Sequence, residues 1–584
     1  MKKELLVCLG FTCLFNLSAI AGQPQFSWGK IIDGDNGDTP SAIAKANDGD
    51  MFLATSFVSK GTSEGSNLEV RYDGTVVGTG SPNTSVSGNR NLLIQRINPD
   101  GTPEWSAYSY MGDLGSTLLQ ETQDGGVVAV MKYRHTNKNE DGSNRFFSFY
   151  DAKGNKSDII HDYPAWIYQG VIMKLSSEGE LEWTKLIKFD HPTINGKIIT
   201  DVFSISSMTT DNEGNIYIGG NLRSTMTLTS STGENVEITA QYTDGWDGDS
   251  QKSVGCLYIV KMDANGNYLQ HFKTSGTAVR EQVYGLKFDN GKLYAAAIEK
   301  GTGTDNVEFG GTTFIPTKFD DLTVFCMDTQ LNMQWVKNLY ATAFTDGKHT
   351  TQIKGLDIVD NNILITGLVK GGFAETADAE PFISTTVSAL NGYVVRLSAE
   401  NGELMQGNIH GGGISGYFNA YYEKGNTYAY GYSWQNQQGI VLVEFPAKDE
   451  PVVHSLIKGT SPTSWSGLFD NTSLYINARG KGTFNIQNSE ESYSITDWGC
   501  LYATFDLSEL IQGTSSVESH FTNNSSILIT GTKGAVEVTV TQPTQVSVYN
   551  LSGQKVAEQQ VAEETLIALP AGFYIVNGKK VIVR

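Results

Sequence analysis

The sequence predicts an all-β protein: a seven-bladed β-propeller whose last blade is closed by an N-terminal strand, followed by a small C-terminal β-sandwich. Three observations predict it. A pattern of four short strands recurs seven times between Trp28 and Gly513, the mark of a propeller. The turns inside each copy are rich in Asx and Gly, as in Asp211-Asn212-Glu213-Gly214 and Asp263-Ala264-Asn265-Gly266, which supply the positive φ of tight hairpins. After Gly513 the pattern gives way to period-two alternation such as Ala535-Val536-Glu537-Val538-Thr539-Val540, the signature of half-buried strands.

Residues 1–21 read as a signal peptide. Lys2 and Lys3 make a positive start, Leu5 to Phe15 is apolar, and Ala19-Ile20-Ala21 is a small-x-small cleavage site. The apolar run is too short to span a bilayer, and no later run approaches the length of a transmembrane helix. The chain has 584 residues and a net charge of -21 without a basic cluster, which argues against nucleic acid as a partner. Of five cysteines, Cys8 and Cys13 leave with the leader. Cys256, Cys326 and Cys500 occupy equivalent strands of different copies, too far apart to pair, and read as small apolar core residues.

The propeller is expected over residues 26–513. The first two strands of each copy fall at 41–57, 114–131, 201–221, 282–298, 354–368, 415–433 and 463–479. The second pair falls at 91–110, 169–189, 255–274, 322–340, 392–409, 439–457 and 499–507. Small residues such as Ala54, Gly219 and Gly367 mark the second strand, where sheets crowd toward an axis. An aromatic often opens the fourth strand, as at Trp105, Trp183, Tyr268 and Trp335, spaced as a layer between blades. The seventh copy lacks a fourth strand. Phe26-Ser27-Trp28-Gly29-Lys30-Ile31 matches Glu182-Trp183-Thr184-Lys185-Leu186-Ile187 and is expected to supply it, removing an open edge. Runs such as Thr210-Asp211-Asn212-Glu213-Gly214-Asn215-Ile216-Tyr217-Ile218-Gly219-Gly220 resemble the repeats of bacterial secreted β-propellers. That resemblance implies the fold and no chemistry.

Long inserts at 58–90, 132–168, 222–253, 299–321 and 369–391, and a shorter one at 481–497, all follow the second strand. They should therefore emerge on one face, either as a binding crown or as hairpins that extend the blades. The candidate ligand-binding residues there are Trp166 and Tyr168, Tyr242 and Trp246, and Trp434 at the end of a strand that carries Tyr428, Tyr430 and Tyr432 on one side. Aromatics beside carboxylates suit sugar stacking or calcium binding. The calcium candidates are Asp33 and Asp35, and Asp244, Asp247 and Asp249, although neither group has the spacing of a helix–loop calcium site. No cofactor is expected beyond calcium. The eight histidines are scattered, and no nucleophile elbow, phosphate loop or dinucleotide fingerprint is present.

Residues 514–526 are Ser/Asn-rich and read as a linker, and residues 527–584 as the sandwich. Val548-Tyr549-Asn550-Leu551-Ser552-Gly553-Gln554, the run Leu569-Pro570-Ala571-Gly572-Phe573-Tyr574-Ile575-Val576 and the basic, apolar end resemble the type IX secretion sorting domain of Bacteroidetes. The resemblance implies export across the outer membrane through that secretion machinery, then release or attachment at the cell surface. The function expected from these readings is an exported, non-catalytic propeller that binds a glycan or an extracellular protein through its inserts. The alternatives are a secreted polysaccharide hydrolase or lyase that uses carboxylates at the axial funnel, and a structural spacer on the surface.

Overall fold

The computed structural model describes residues 22–34, 38–58, 68–80, 90–110, 113–134, 145–161, 167–194, 196–240, 255–277, 280–385, 388–410, 414–433, 439–447, 450–459, 463–511, 527–532, 535–540, 542–550, 554–570, 572–577 and 579–583. The chain is all-β, built of antiparallel sheets, and the one α-helix among the described residues is the turn Ser508–Ile511. No described helix is long and apolar enough to cross a membrane. The chain divides into two compact units, Pro24–Leu507 and a unit that holds Ser508–Arg584.

The larger unit contains seven four-stranded antiparallel groups among the described residues. The first is Thr39–Lys45, Met51–Val58, Arg90–Ile97 and Pro103–Tyr110, and the second is Asp113–Glu121, Val127–Arg134, Gln169–Leu175 and Leu181–Phe189. The third runs from Phe203 to Lys273, the fourth from Arg280 to Thr342, the fifth from Thr350 to His410 and the sixth from Ile414 to Gly459. The seventh joins Thr463–Asp470, Ser473–Ile486 and Ser492–Asp506 to Gln25–Gly34, the chain's first described strand. The first strand of each group packs beside the first strand of the next, and Thr463–Asp470 packs beside Thr39–Lys45 of group one.

In groups one to six the second and third strands are almost wholly buried on both faces, as Gln169–Leu175 and Cys256–Met262 show by having no exposed residue. That is why their sequences read as continuous apolar runs rather than as alternations. Leu119, Ala129, Met131 and Tyr133 face group one with Phe52 and Ala54, whereas Val128 and Val130 face group three with Ile216 and Ile218. The three cysteines are free and buried, and burial pushes the Cys256 thiol up to about 12.

One turn recurs between paired strands. In Asp151, Asp211, Asp263 and Asp328 the carboxylate accepts the backbone N–H groups two and four residues on, and also the side-chain amide of the Asn four residues on. The residue before that Asn has positive φ: Gly154, Gly214 and Gly266, but Leu331 in the fourth copy. A left-handed leucine costs roughly 1–2 kcal/mol. Leu331 is 6% exposed within a buried apolar cluster, and burial of that size contributes about 1.5–3 kcal/mol, so the departure from glycine is sustained.

The described parts of the inserts are mostly hairpins, and each pairs with the outermost strand of the preceding group or its short continuation. Leu68–Tyr72 pairs with Gln25–Gly34, Arg145–Tyr150 with Pro103–Tyr110, Thr225–Thr229 with Leu181–Phe189, Val307–Phe309 with Ser275–Gly276, and Gly372–Ala374 with Met333–Thr342. The extended end of Ser473–Ile486 pairs with Val452–Gly459 in the same way. The inserts thus cover edges that would otherwise offer unpaired backbone groups.

In the smaller unit, a three-stranded sheet (Ile527–Thr532, Ala535–Val540, Glu564–Ala568) and a four-stranded sheet (Lys555–Val561, Thr544–Asn550, Gly572–Val576, Lys579–Val583) contribute to one apolar cluster that includes Val538, Val548, Tyr574 and Val576.

Candidate functional site

The strand Val127–Arg134 ends on the face from which the inserts leave. Its alternation points Lys132 the same way as Val128 and Val130, toward group three. There the Lys132 ammonium lies 4.6 Å from the ring centroid of Phe203 and 5.0 Å from that of Tyr168, and the Arg134 guanidinium lies 4.7 Å from the Tyr168 ring. Phe203 stacks on Phe189 with centroids 3.6 Å apart. His191 fixes the base of the cluster, with one ring nitrogen 2.8 Å from the Ile199 carbonyl and the other 3.0 Å from that of Tyr168. Arg223 donates to the Asp201 carboxylate at 2.7 Å.

Burial lowers the Lys132 pKa, Arg223 lowers it further and Asp201 opposes both. Burial likewise lowers that of His191. Among the described residues no carboxylate lies within ion-pair distance of Lys132. The cations on the opposite, turn-bearing face differ. Arg96 pairs with Asp50 at 2.8 Å, Lys174 with Asp124 and with Glu182 at 3.0 Å, and Lys261 sits 4.0 Å from Asp211. A partly desolvated cation held by two aromatic faces rather than by a carboxylate has anion-binding capacity to spare.

Tyr168 is the candidate aromatic that the structure brings into this cluster, and its ring is engaged by two cations. Trp166, Tyr242, Trp246 and Trp434 lie outside the described residues, as do Asp35, Asp244, Asp247 and Asp249. Asp33 lies in the strand Gln25–Gly34, opposite Arg71 of the first insert. Among the described residues no group of three or more His, Cys, Asp or Glu is placed to hold a metal. Tyr428, Tyr430 and Tyr432 are buried.

A second feature lies where the first strands meet. Each first strand carries a bulge opposite the second strand: between Pro40 and Ala42, Leu114 and Thr117, Ile205 and Ser207, Val283 and Gly285, Ile353 and Gly355, Tyr417 and Asn419, and Ser464 and Ser466. A bulge turns its extra residue out of the ladder. Three such residues, Ser41, Lys354 and Phe418, line a cavity of about 230 Å³ with Leu118, Met208 and Ser466. The described lining contains no carboxylate, so it does not present the acid pair of a glycosidase. The bulges do leave a signal in the sequence that the reading above missed. Buried residues slip phase to a spacing of three at Ile205/Met208, Val283/Leu286 and Ile353/Leu356.

Between groups three and four, Glu281, Glu299 and Asp321 lie opposite one another across three strands and are 2%, 0% and 0% exposed. Asp321 accepts from Thr317 N–H at 2.9 Å, Thr317 O–H at 2.6 Å, Ala341 N–H at 2.8 Å and Asn338 at 3.2 Å. Glu281 accepts from the Thr274 hydroxyl and from Leu257 N–H at 3.4 Å, whereas neither Glu299 oxygen has a partner. Burial raises the pKa of all three, and Glu281 and Asp321 raise that of Glu299 further. Burial thus disfavours ionisation along the row, while four donors oppose that effect at Asp321.

No protein-family model matches the chain, and no curated protein matches it. Solved structures align at low similarity. A protein of unknown function from Dyadobacter fermentans DSM 18053 shares 10% identity at TM-score 0.34, over 83% of this chain and 99% of its own. The quinohemoprotein alcohol dehydrogenase ADHIIG from Pseudomonas putida HK5 shares 10% at TM-score 0.32, over 84% of this chain and 78% of its own. The extracellular domain of the hybrid two-component system BT4673 from B. thetaiotaomicron shares 10% at TM-score 0.20, over 93% of this chain and 86% of its own. Likenesses at this level assign neither a family nor an activity.

Proposed function

We propose that the chain is an exported seven-bladed β-propeller that binds a glycan or an extracellular protein through its insert-bearing face, where the ligand presents an anionic group. The single observation that carries the binding reading is the cluster of Lys132, Arg134, Tyr168 and Phe203, with a lysine that the described residues leave without a counter-charge. The seven four-stranded groups and the pairing of Gln25–Gly34 with Ser492–Asp506 support the propeller. The two sheets after residue 526 with their common core support a sandwich. The likeness of this last region to type IX sorting domains supports export to the cell surface.

The test is a glycan and matrix-protein array with the chain lacking residues 1–21, run with and without calcium. Ligands rich in carboxylate or sulfate should bind, and Lys132→Met with Arg134→Met should weaken them at least tenfold while the thermal melt is retained. An array hit that is indifferent to both substitutions would remove this face from the reading.

A further inference from the structure

The joint between group seven and group one differs in chemistry from the others. Tyr475 and Tyr502 of group seven share an apolar cluster with Leu53, Phe57, Leu93 and Ile97 of group one. Alternation along each strand points Asn477 the same way as Tyr475, Gln95 the same way as Leu93 and Ile97, and Thr55 the same way as Leu53 and Phe57. Asn477, Gln95 and Tyr502 are 0% exposed. Neither the oxygen nor the nitrogen of the Asn477 amide has a hydrogen-bond partner, and the Gln95 amide oxygen and the Thr55 and Tyr502 hydroxyls have none either. At the place of Gln95 on the ladder between second and third strands, the other six groups carry Met173, Val260, Phe325, Val395, Val443 and Ala503, all apolar. At the place of Asn477, groups one to four carry Ala54, Val130, Gly219 and Ala296, and groups five and six carry Thr366 and Tyr430. A buried amide without a partner has given up its water for nothing in exchange. Opening an apolar joint only exposes apolar surface. Opening this one also returns water to its unpaired polar atoms, so its open state lies closer in free energy to the closed one. The Lys45–Asp470 ion pair spans the same joint, but Lys45 is exposed, and such pairs contribute little.

We infer that the larger unit opens first at this joint: groups seven and one part in a motion short of unfolding, while the other joints stay closed. The joint and the Lys132 cluster do not depend on each other. The chain carries its own reporters of such a motion. Cys256 lies in the cluster shared by groups two and three, Cys326 in that of groups four and five, and Cys500 in that of groups seven and one, and all three thiols are free and buried. Cys256 is 7% exposed and Cys500 0%, so burial alone would make Cys256 the more reactive. The test is alkylation of the full chain by iodoacetamide at one pH. Each thiol is resolved by peptide mass spectrometry, and its rate is divided by that of the same thiol in the urea-unfolded chain.

Cys500 should be protected at least tenfold less than Cys256 and Cys326. Its protection should also fall less steeply with added urea than that of global unfolding, because a partial opening exposes less surface. Asn477→Val with Gln95→Met places at this joint the residue types that group two carries at Val130 and Met173. The pair of substitutions should raise Cys500 protection at least threefold, whereas fraying confined to the surroundings of Cys500 would not respond. The inference is overturned if Cys500 is not the least protected thiol by the tenfold margin, or if its urea dependence matches that of global unfolding. It is overturned equally if a substituted chain that melts no lower than the parent falls short of the threefold gain.

Discussion

Burial makes ionisation of Glu299 unfavourable in the folded chain. Its neighbours across the ladder are Glu281 and Asp321, so ionisation would place like charges side by side in a dry interface. The folded-state pKa lies above the unfolded value near 4.5. Stability from this group is therefore complete below that pH and is withdrawn as pH rises through the folded value. Glu281, raised to about 8, acts in the same sense between pH 4.5 and its own folded value. Each pH unit across that interval withdraws up to about 1.4 kcal/mol per group. Glu299→Gln keeps the shape and removes the titration. Thermal melts should show the variant more stable than the parent at pH 8, with the gap closing at pH 4.5; an equal gap at both pH values would contradict the assignment. None of this was legible in the sequence, where Ile298-Glu299-Lys300 reads as the polar end of an apolar strand. Only the cross-strand register sets three carboxyl groups together.

At the scale of the element, neighbouring groups are locked by a tryptophan on a glycine. Trp28, Trp105, Trp183 and Trp335 each lie over a glycine in a turn of the following group: Gly101, Gly179, Gly266 and Gly402. The indole N–H groups of Trp28 and Trp105 donate to Pro99 O at 2.8 Å and Ser177 O at 2.7 Å. All four glycines have positive φ, and a Cβ on Gly179 would stand 2.6 Å from the Trp105 ring and from the Ala152 Cβ. Gly179→Ala should cost about 1–2 kcal/mol from the backbone alone and more from the clash. Trp105→Ala should cost roughly 3–5 kcal/mol. In a double-mutant cycle read by denaturant unfolding, the glycine substitution should cost less once the indole is gone; strict additivity would refute the lock. The aromatic layer was visible in the sequence as a recurring Trp at the start of the fourth strand. Its glycine partners lie about 70–80 residues downstream and could not be matched without the structure.

At the scale of the whole molecule, the repeat was legible because each copy restates the same turn chemistry. The inserts were legible by position but not by action: their hairpins grip the preceding group, a contact that only tertiary structure sets. The larger unit also depends on its ends meeting. Gln25–Gly34 contributes Trp28 and Ile32 to the core it forms with Tyr475, Cys500 and Tyr502. Deleting residues 22–34 should leave a chain that unfolds at lower temperature and is cut more readily by protease, and a peptide of that sequence added in trans should restore both. A deletion that melts like the parent would show that the strand is dispensable.

The partner of this first strand, Ser492–Asp506, is translated more than 450 residues later. The first strand can meet Leu68–Tyr72 early, but the edge that pairs with Ser492–Asp506 must wait until that late segment is made. A chain interrupted anywhere before residue 506 keeps an exposed β-edge at its start, and that edge distinguishes it from a finished molecule for any protease that surveys incomplete products.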